Sequence, residues 1–421
     1  MTDINTLIEQ AEEALAPRFR EIEKRSERLT ARVLSAFRNN RVSETCFSST
    51  NGYGLDDTGR DALDKIYAEV FGCEAAFVRH SIVSGTHALT IGLFALLRPG
   101  DVLLSLTGKP YDTLDEVIGL SGKPGRGSLL DFGVRYREVP LKSDGSPDYD
   151  GIGQALSEEG AAVKVAFIQR SKGYLDRPTL TVSEIGKLAS FVKERTEKAF
   201  VVVDNCYGEF TEDQEPVAVG ADLMIGSLIK NPGGGMAESG GYLAGRADAV
   251  ELVACRATAP GIGAEEGATL GQNRNLYKGL FYAPHSVGQA LKTMHLAAYL
   301  FSALGFDVEP SWDQPRSDII QTIRCKTADN LIAFCRGIQA GSPVDAFVTC
   351  EPWDMPGYSS PVIMAAGTFV QGSSLELSAD GPIREPYNAY LQGGLTYESG
   401  KIGILSALDA VMKTRNGGET K

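Results

Sequence analysis

The sequence predicts an α/β protein with a large, mostly parallel sheet, followed by a smaller α+β domain. Three observations point there. Short runs rich in Val, Ile and Leu recur without strict alternation, as in strands covered on both faces. Helical stretches separate several of them, the order expected of α/β architecture. After residue 300 the pattern changes, and strands follow one another with few helices between them.

Residues 5–38 read as one or two amphipathic helices, broken near Pro17. "FSSTNGYGLDDTGR" (47–60) is polar and rich in turn residues, and 60–72 returns to helical spacing with Leu63, Ile66, Tyr67 and Val70 on one face. Strands are predicted at 75–80, 101–106, 163–169, 199–204 and 222–227, with helices over 86–97 and 183–195. "GYLAG" (241–245) offers a further strand, and helical patterns at 246–256 and 284–304 close this part. Beyond it, strands are predicted at 318–325, 345–350, 361–366 and 375–379, with one helix at 327–341 and another from 397 to about 413. The division that results is an N-terminal helical arm (1–45), a large α/β domain (46–300) and a small α+β domain (301–421).

Composition narrows the function. The chain has 421 residues, 43% hydrophobic and 23% charged, as in an ordinary globular protein of two or three domains. A net charge of −13 argues against nucleic acid or an anionic membrane as partner. The basic run from Arg18 to Arg28 is interleaved with Glu21, Glu23 and Glu27 and reads as a solvated helix face. Seven scattered cysteines form no C-x-x-C pair, which suits reduced thiols in the cytoplasm. The N-terminus lacks the pattern of a signal peptide, and no stretch approaches the ~20 apolar residues of a membrane helix. The four histidines have no metal-ligand spacing, so no metal is expected.

Open parallel sheets bind ligands at the carboxyl ends of their strands, and three signals sit at such ends. In "VSGTHAL" (83–89), Ser84 is a good N-cap, Gly85 lets the backbone approach a ligand and Thr86 opens a helix. A helix N-terminus is a ready phosphate cradle, though alone this is a capped helix start. Asp204 ends the apolar run of "VVVDNCYGEF", where it is either solvated at the rim or paired with a cation in the cleft. Lys230, in "SLIKNPGGG", stands one strand later, directly before a turn. A phosphate cradle, an acid for a ring cation and an amine for an aldehyde together ask for pyridoxal 5′-phosphate. Partial burial and a nearby cationic ring would lower the lysine's affinity for its proton, which a reactive amine requires. Gly233, Gly234 and Gly235 would let the backbone pass close to the cofactor.

The ordered motifs "SGTHA", "PYDT", "DNCYGEF", "SLIKNPGGG", "GGYLAGR", "GLFYAPHSVGQALK" and "ELSADGPIREPY" resemble the aluminium-resistance family, also described as methionine γ-lyase-like or cystathionine β-lyase-like. The resemblance runs from about residue 40 to the C-terminus. It implies the fold-type-I architecture of pyridoxal-phosphate enzymes: a mostly parallel seven-stranded sheet with helices on both faces, and a smaller α+β C-terminal domain. It also implies a homo-oligomer, a dimer or dimer of dimers, with active sites shared between subunits.

By the same resemblance Tyr111, in "GKPYDT", matches the aromatic that stacks on the cofactor ring, with His87 as the rival stacker. Ser227 matches a phosphate-binding serine. Ile229 stands where the sulfur-amino-acid lyases carry a threonine, so one phosphate contact is missing. Tyr53, in "NGYGLDD", is either a turn residue packing locally or a side chain reaching the phosphate of the neighbouring subunit. Arg384, between two prolines, suits a bidentate grip on a substrate carboxylate; its bland alternative is a surface pair with Glu385. Arg274 and Arg324 are weaker candidates.

The reaction expected is β- or γ-elimination from a sulfur-containing amino acid, giving an oxo acid, ammonia and a thiol. Lys230 would act as base, and Tyr111 as acid near the leaving group. Transamination, aldol cleavage or racemisation would share the first carbanion. A catalytically silent protein that binds the cofactor or a partner is the rival from another class.

Overall fold

The computed structural model describes residues 4–175, 177–355 and 360–417. Seven strands form the larger sheet: β1 (Ala75–Arg79), β2 (Val102–Ser105), β3 (Arg135–Glu138), β4 (Val163–Gln169), β5 (Phe200–Asp204), β6 (Leu223–Ser227) and β7 (Gly241–Gly245). Their order is β1-β7-β6-β5-β4-β2-β3. All the pairings are parallel except those of β7, which runs antiparallel to both β1 and β6. The carboxyl ends of β1, β4, β5 and β6 therefore share one edge of the sheet. Phe77, Leu103, Val165, Phe167, Val202, Leu223, Ile225 and Leu243 are buried in its core, together with Leu89, Leu93 and Leu96 of the helix Gly85–Leu96.

The smaller sheet holds β8 (Asp307–Glu309), β9 (Ile320–Arg324), β10 (Val362–Ala365), β11 (Ser378–Pro382) and β12 (Asn388–Gln392) in the order β10-β11-β12-β9-β8, with every pairing antiparallel. Ile323, Ala379, Ala389 and Leu391 belong to a core with Phe334 and Ile338 of the helix Ala328–Ala340 and Ile404 and Leu408 of Tyr397–Gly417. The chain divides into two units. One comprises residues 31–228 and 236–281; the other comprises 1–30, 229–235 and 282–421. No helix is long and apolar enough to cross a membrane, among the described residues.

The sequence reading needs correction at several elements. The first helix is a single one, Ile4–Asn39, with Pro17 inside it. Proline removes one backbone hydrogen bond, but Ala11, Leu15, Ile22 and Leu29 are all buried on one side, and that burial carries the helix through. A second long helix, Asn273–Ala303, begins eleven residues before the expected start at 284, with Pro284 in its interior. The run at 345–350 is not a strand: Asp345 has φ 53° and Phe347 is 88% exposed. The strand expected at 375–379 lies at Ser378–Pro382. The charged β3 was not foreseen; it is an edge strand whose Arg135 and Arg137 pair with Glu159 and Glu158, both at 2.7 Å.

Candidate active site

The turn after β1 and the end of β6 come together in the larger-sheet unit. Ser84 caps the helix Gly85–Leu96, its Oγ accepting the His87 N–H at 3.1 Å. The N–H groups of Gly85 and Thr86 have no partner within their own helix. A methyl group built on Gly85 would lie 3.5 Å from Ser227 Cβ and 3.4 Å from Cys206 Sγ. Ser227, the last residue of β6, is 1% exposed, and its Oγ has no hydrogen-bond partner. A buried hydroxyl left unsatisfied costs free energy. Set against a helix N-terminus with free N–H groups, it fits a phosphate. The Thr86 hydroxyl bonds Thr113 Oγ1 at 2.8 Å.

Asp204 ends β5, level with Gln169 of β4 and Ile225 of β6. It is 7% exposed, and its Oδ1 accepts the Cys206 N–H at 3.1 Å. A buried carboxylate at the centre of the strand-end row suits a ring N–H cation. Tyr111 lies in the segment after β2. Its N–H donates to Gln169 Oε1, and its ring meets Tyr174 edge-on with centroids 6.2 Å apart. Gly173 lies so close that a Cβ there would be 2.9 Å from Tyr111 Cδ2. The His87 ring is tied back to its own turn, Nδ1 accepting the Val83 N–H at 3.2 Å, which leaves the neutral ring's proton on Nε2.

Tyr53 is 71% exposed, so its ring does not pack locally, while its carbonyl accepts the Gly267 N–H at 2.8 Å. The loop that carries it is pinned by Asp57, which caps the helix Thr58–Phe71 and accepts from Arg60 N–H at 2.8 Å, Thr269 Oγ1 at 2.8 Å and Thr50 Oγ1. Burial works against the Asp57 charge, but these hydrogen bonds prevail and hold its carboxyl below the usual range. Arg274 is engaged elsewhere, paired with Glu44 at 2.8 Å and lying over the Phe47 ring.

Lys230 and Arg384 belong to the other unit. Lys230 follows Ser227 by three residues and is half-buried. Its carbonyl accepts the Gly233 N–H at 3.1 Å, opening the tight turn Asn231–Gly233. A Cβ on Gly372 would lie 3.6 Å from Ile229 Cδ1, and one on Gly235 would overlap the Leu395 side chain. The glycine at 235 therefore admits Leu395, where the sequence reading gave it to the cofactor. Arg384 is exposed just after β11, in a turn closed by Tyr387 N–H donating to its carbonyl at 2.7 Å. Arg324 ends β9 and is half-buried.

Sequence reasoning missed Gln169 and Tyr174, the two residues that meet Tyr111. Gln169 carries the signal that singled out Asp204, a polar residue ending an apolar strand; nothing in the sequence marks Tyr174.

The sheet order, with β7 reversed beside β1 and the helix N-terminus facing the end of β6, is that of the fold-type-I pyridoxal-phosphate enzymes. The pyridoxal-5′-phosphate-dependent protein YhfS of Escherichia coli shares this fold at 15% identity and a TM-score of 0.62, over 94% of this chain and 97% of that one. A profile of the methionine γ-lyase family matches residues 4–412, and the chain belongs to that family. It is 53% identical to the uncharacterised protein YnbB of Bacillus subtilis (strain 168), over 96% of this chain and 95% of YnbB. A crystal structure from Clostridium novyi NT, described as a carbon–sulfur lyase involved in aluminium resistance, is 50% identical with a TM-score of 0.92, covering 96% of this chain and 94% of that one.

Proposed function

We propose that this protein is a pyridoxal-phosphate-dependent carbon–sulfur lyase that eliminates a thiol from a sulfur-containing amino acid, leaving an oxo acid and ammonia. The observation that carries it is the buried, unsatisfied Ser227 hydroxyl beside the Gly85–Thr86 helix start, with Asp204 on the next strand and Lys230 three residues on. Family membership and the carbon–sulfur lyase relative support the reaction class.

When bound, pyridoxal phosphate supplies an aldehyde for the amine and an electron-withdrawing ring for the developing carbanion. Ser84, Gly85, Thr86 and Ser227 would hold its phosphate. Asp204 keeps a proton on the ring nitrogen. Lys230 would supply the amine for the aldehyde and, as a free amine, would take the substrate α-proton and return protons later. Tyr111, with His87 as the rival for that place, would cover the ring, and Tyr111 would give a proton to the departing sulfur. Arg384 grips the substrate carboxylate. Tyr53, anchored at its backbone and exposed at its ring, reaches a neighbouring subunit's phosphate in a dimer or dimer of dimers.

The test is to incubate the purified protein with pyridoxal phosphate and a panel of methionine, cystathionine and cysteine-like amino acids. Stoichiometric ammonia, oxo acid and thiol without any added keto acid is the expected outcome. Oxo acid formed only when an amino acceptor is supplied would mean transamination and overturn the proposal. Lys230→Ala should abolish borohydride-fixed labelling of the peptide that spans residue 230; labelling that persists in this variant would remove Lys230 from its role.

A further inference from the structure

Directly behind Asp204 lies a buried ionic cluster for which the roles above have no use. Arg170, the first residue after β4, is 0% exposed, and its N–H donates to the Asp204 carbonyl at 3.1 Å. Apart from a long bond from Nε to the Leu180 carbonyl at 3.4 Å, its guanidinium is spent on the segment just after Asp204. Nη1 donates to Asn205 Oδ1 at 2.8 Å and lies 3.6 Å from Glu215 Oε2; Nη2 donates to Glu212 Oε1 at 2.8 Å and to Thr211 Oγ1 at 3.3 Å. Asn205 Nδ2 in turn donates to Glu215 Oε2 at 2.9 Å, and the other Glu215 oxygen accepts the Phe210 N–H at 2.8 Å.

The segment so clasped is strained. Tyr207 (φ 75°) and Phe210 (φ 62°) are both in the left-handed region that bulky residues avoid. Between them, Gly208 leaves no room for a side chain, because a Cβ there would overlap the guanidinium. The first N–H of this turn to reach back, from Cys206, is the one that bonds Asp204 Oδ1. For stability alone, a buried arginine among carboxylates is a poor solution, since apolar residues of similar volume are often as good or better. The cluster's geometry gives it another use.

We propose that Arg170 is a positioning residue for Asp204: it holds the strained 205–211 turn closed, and the turn's Cys206 N–H fixes the carboxylate toward the cofactor ring nitrogen. The proposal rests on the role given to Asp204 above. Arg170 touches neither cofactor nor substrate and acts through Asp204 alone.

The test compares wild type with Arg170→Met, Arg170→Lys and, as a control for losing a buried arginine, Arg316→Met in the other unit. Three quantities are read: amide hydrogen exchange of the 204–212 peptide without cofactor, the pyridoxal phosphate dissociation constant, and the absorbance maximum of the bound cofactor. R170M is expected to exchange faster at 204–212, bind cofactor about tenfold more weakly (one oriented charge-assisted hydrogen bond lost), and show a displaced maximum. R170K should recover part of each change, and R316M should lower Tm without moving any of the three. Folded R170M with wild-type affinity and absorbance overturns the proposal, as does an equal spectral change in R316M. Should R170M fail to fold, Glu212→Gln, at a carboxylate that is 25% exposed, takes its place: smaller changes in the same directions uphold the proposal and none overturns it. Wild-type protein that binds no pyridoxal phosphate removes the Asp204 role and this proposal together. Wild-type binding with an unresponsive R170M removes the proposal alone.

Discussion

At the end of β6, Ser227 hides a hydroxyl with nothing to bond, and at the end of β5 Asp204 hides a carboxyl group. A phosphate would satisfy the first through a charge-assisted hydrogen bond, a type that contributes roughly 1.5–3 kcal/mol. Ser227→Ala should therefore weaken pyridoxal phosphate binding by about 10- to 100-fold while leaving Tm of the cofactor-free protein unchanged or higher. Fluorescence titration and a thermal scan check both halves, and unchanged affinity would take Ser227 out of the cradle. Asp204 was legible in the sequence as a polar group ending an apolar strand, whereas Ser227 was marked only by the resemblance to the family. Arg170 and Tyr174 were not legible: their importance lies in which side chains surround them, and "QRSKGY" offers no spacing that says so.

Elements show a similar split. In the smaller-sheet unit, Gly337 and Gly341 let the helices Ala328–Ala340 and Tyr397–Gly417 touch backbone to backbone. A Cβ on Gly337 would overlap Ala407 Cα and lie 2.7 Å from the Ser406 carbonyl, and one on Gly341 would lie 2.7 Å from Gly403 Cα. Backbone cannot rotate away as a flexible side chain can, so Gly337→Ala should destabilise this unit by roughly 1–3 kcal/mol despite alanine's better helix propensity. Urea unfolding followed by circular dichroism checks it; a stabilised variant would mean that the helices separate at little cost. The periodicities that marked these helices in the sequence were right about their existence and silent about their approach. Pro17 was read as a break, and the later helix was expected only from 284, yet both helices run through a proline, because a local hydrogen bond lost is a smaller matter than a whole helix face buried.

For the whole molecule, the loss of stability in acid has a named source. His295 is 1% exposed and its ring bonds the Trp312 carbonyl at 2.7 Å. Burial, with the Arg316 guanidinium adding to it, pushes its pKa down to about 2. The unfolded chain takes up this proton near pH 6.5 and the folded one does not, so stability is complete above that pH and falls as pH drops below it, by at most about 1.4 kcal/mol per unit. Wild type should lose Tm more steeply between pH 6.5 and 5 than His295→Asn; parallel curves would assign the acid loss to other groups. Assembly gives a second whole-molecule prediction. If Tyr53 serves a neighbouring subunit, Tyr53→Ala and Lys230→Ala are each nearly inactive, yet unfolding and refolding them together should restore about a quarter of wild-type activity, since half of randomly formed dimers carry one intact site. No recovery would make Tyr53 a residue of its own subunit.

The sequence by itself determined the α/β class, the strand ends on which Asp204 and Ser227 stand, the capped helix at Ser84 and the lysine that follows β6, because each is written in local chemistry: a run, a cap, a turn. Tertiary structure alone decided that β7 runs backwards beside β1, that 345–350 stays out of the sheet, that Gly85 faces Ser227, and that a buried arginine grips the turn behind Asp204. Those outcomes depend on burial and on contacts between residues far apart in the chain, and no local pattern encodes such neighbours.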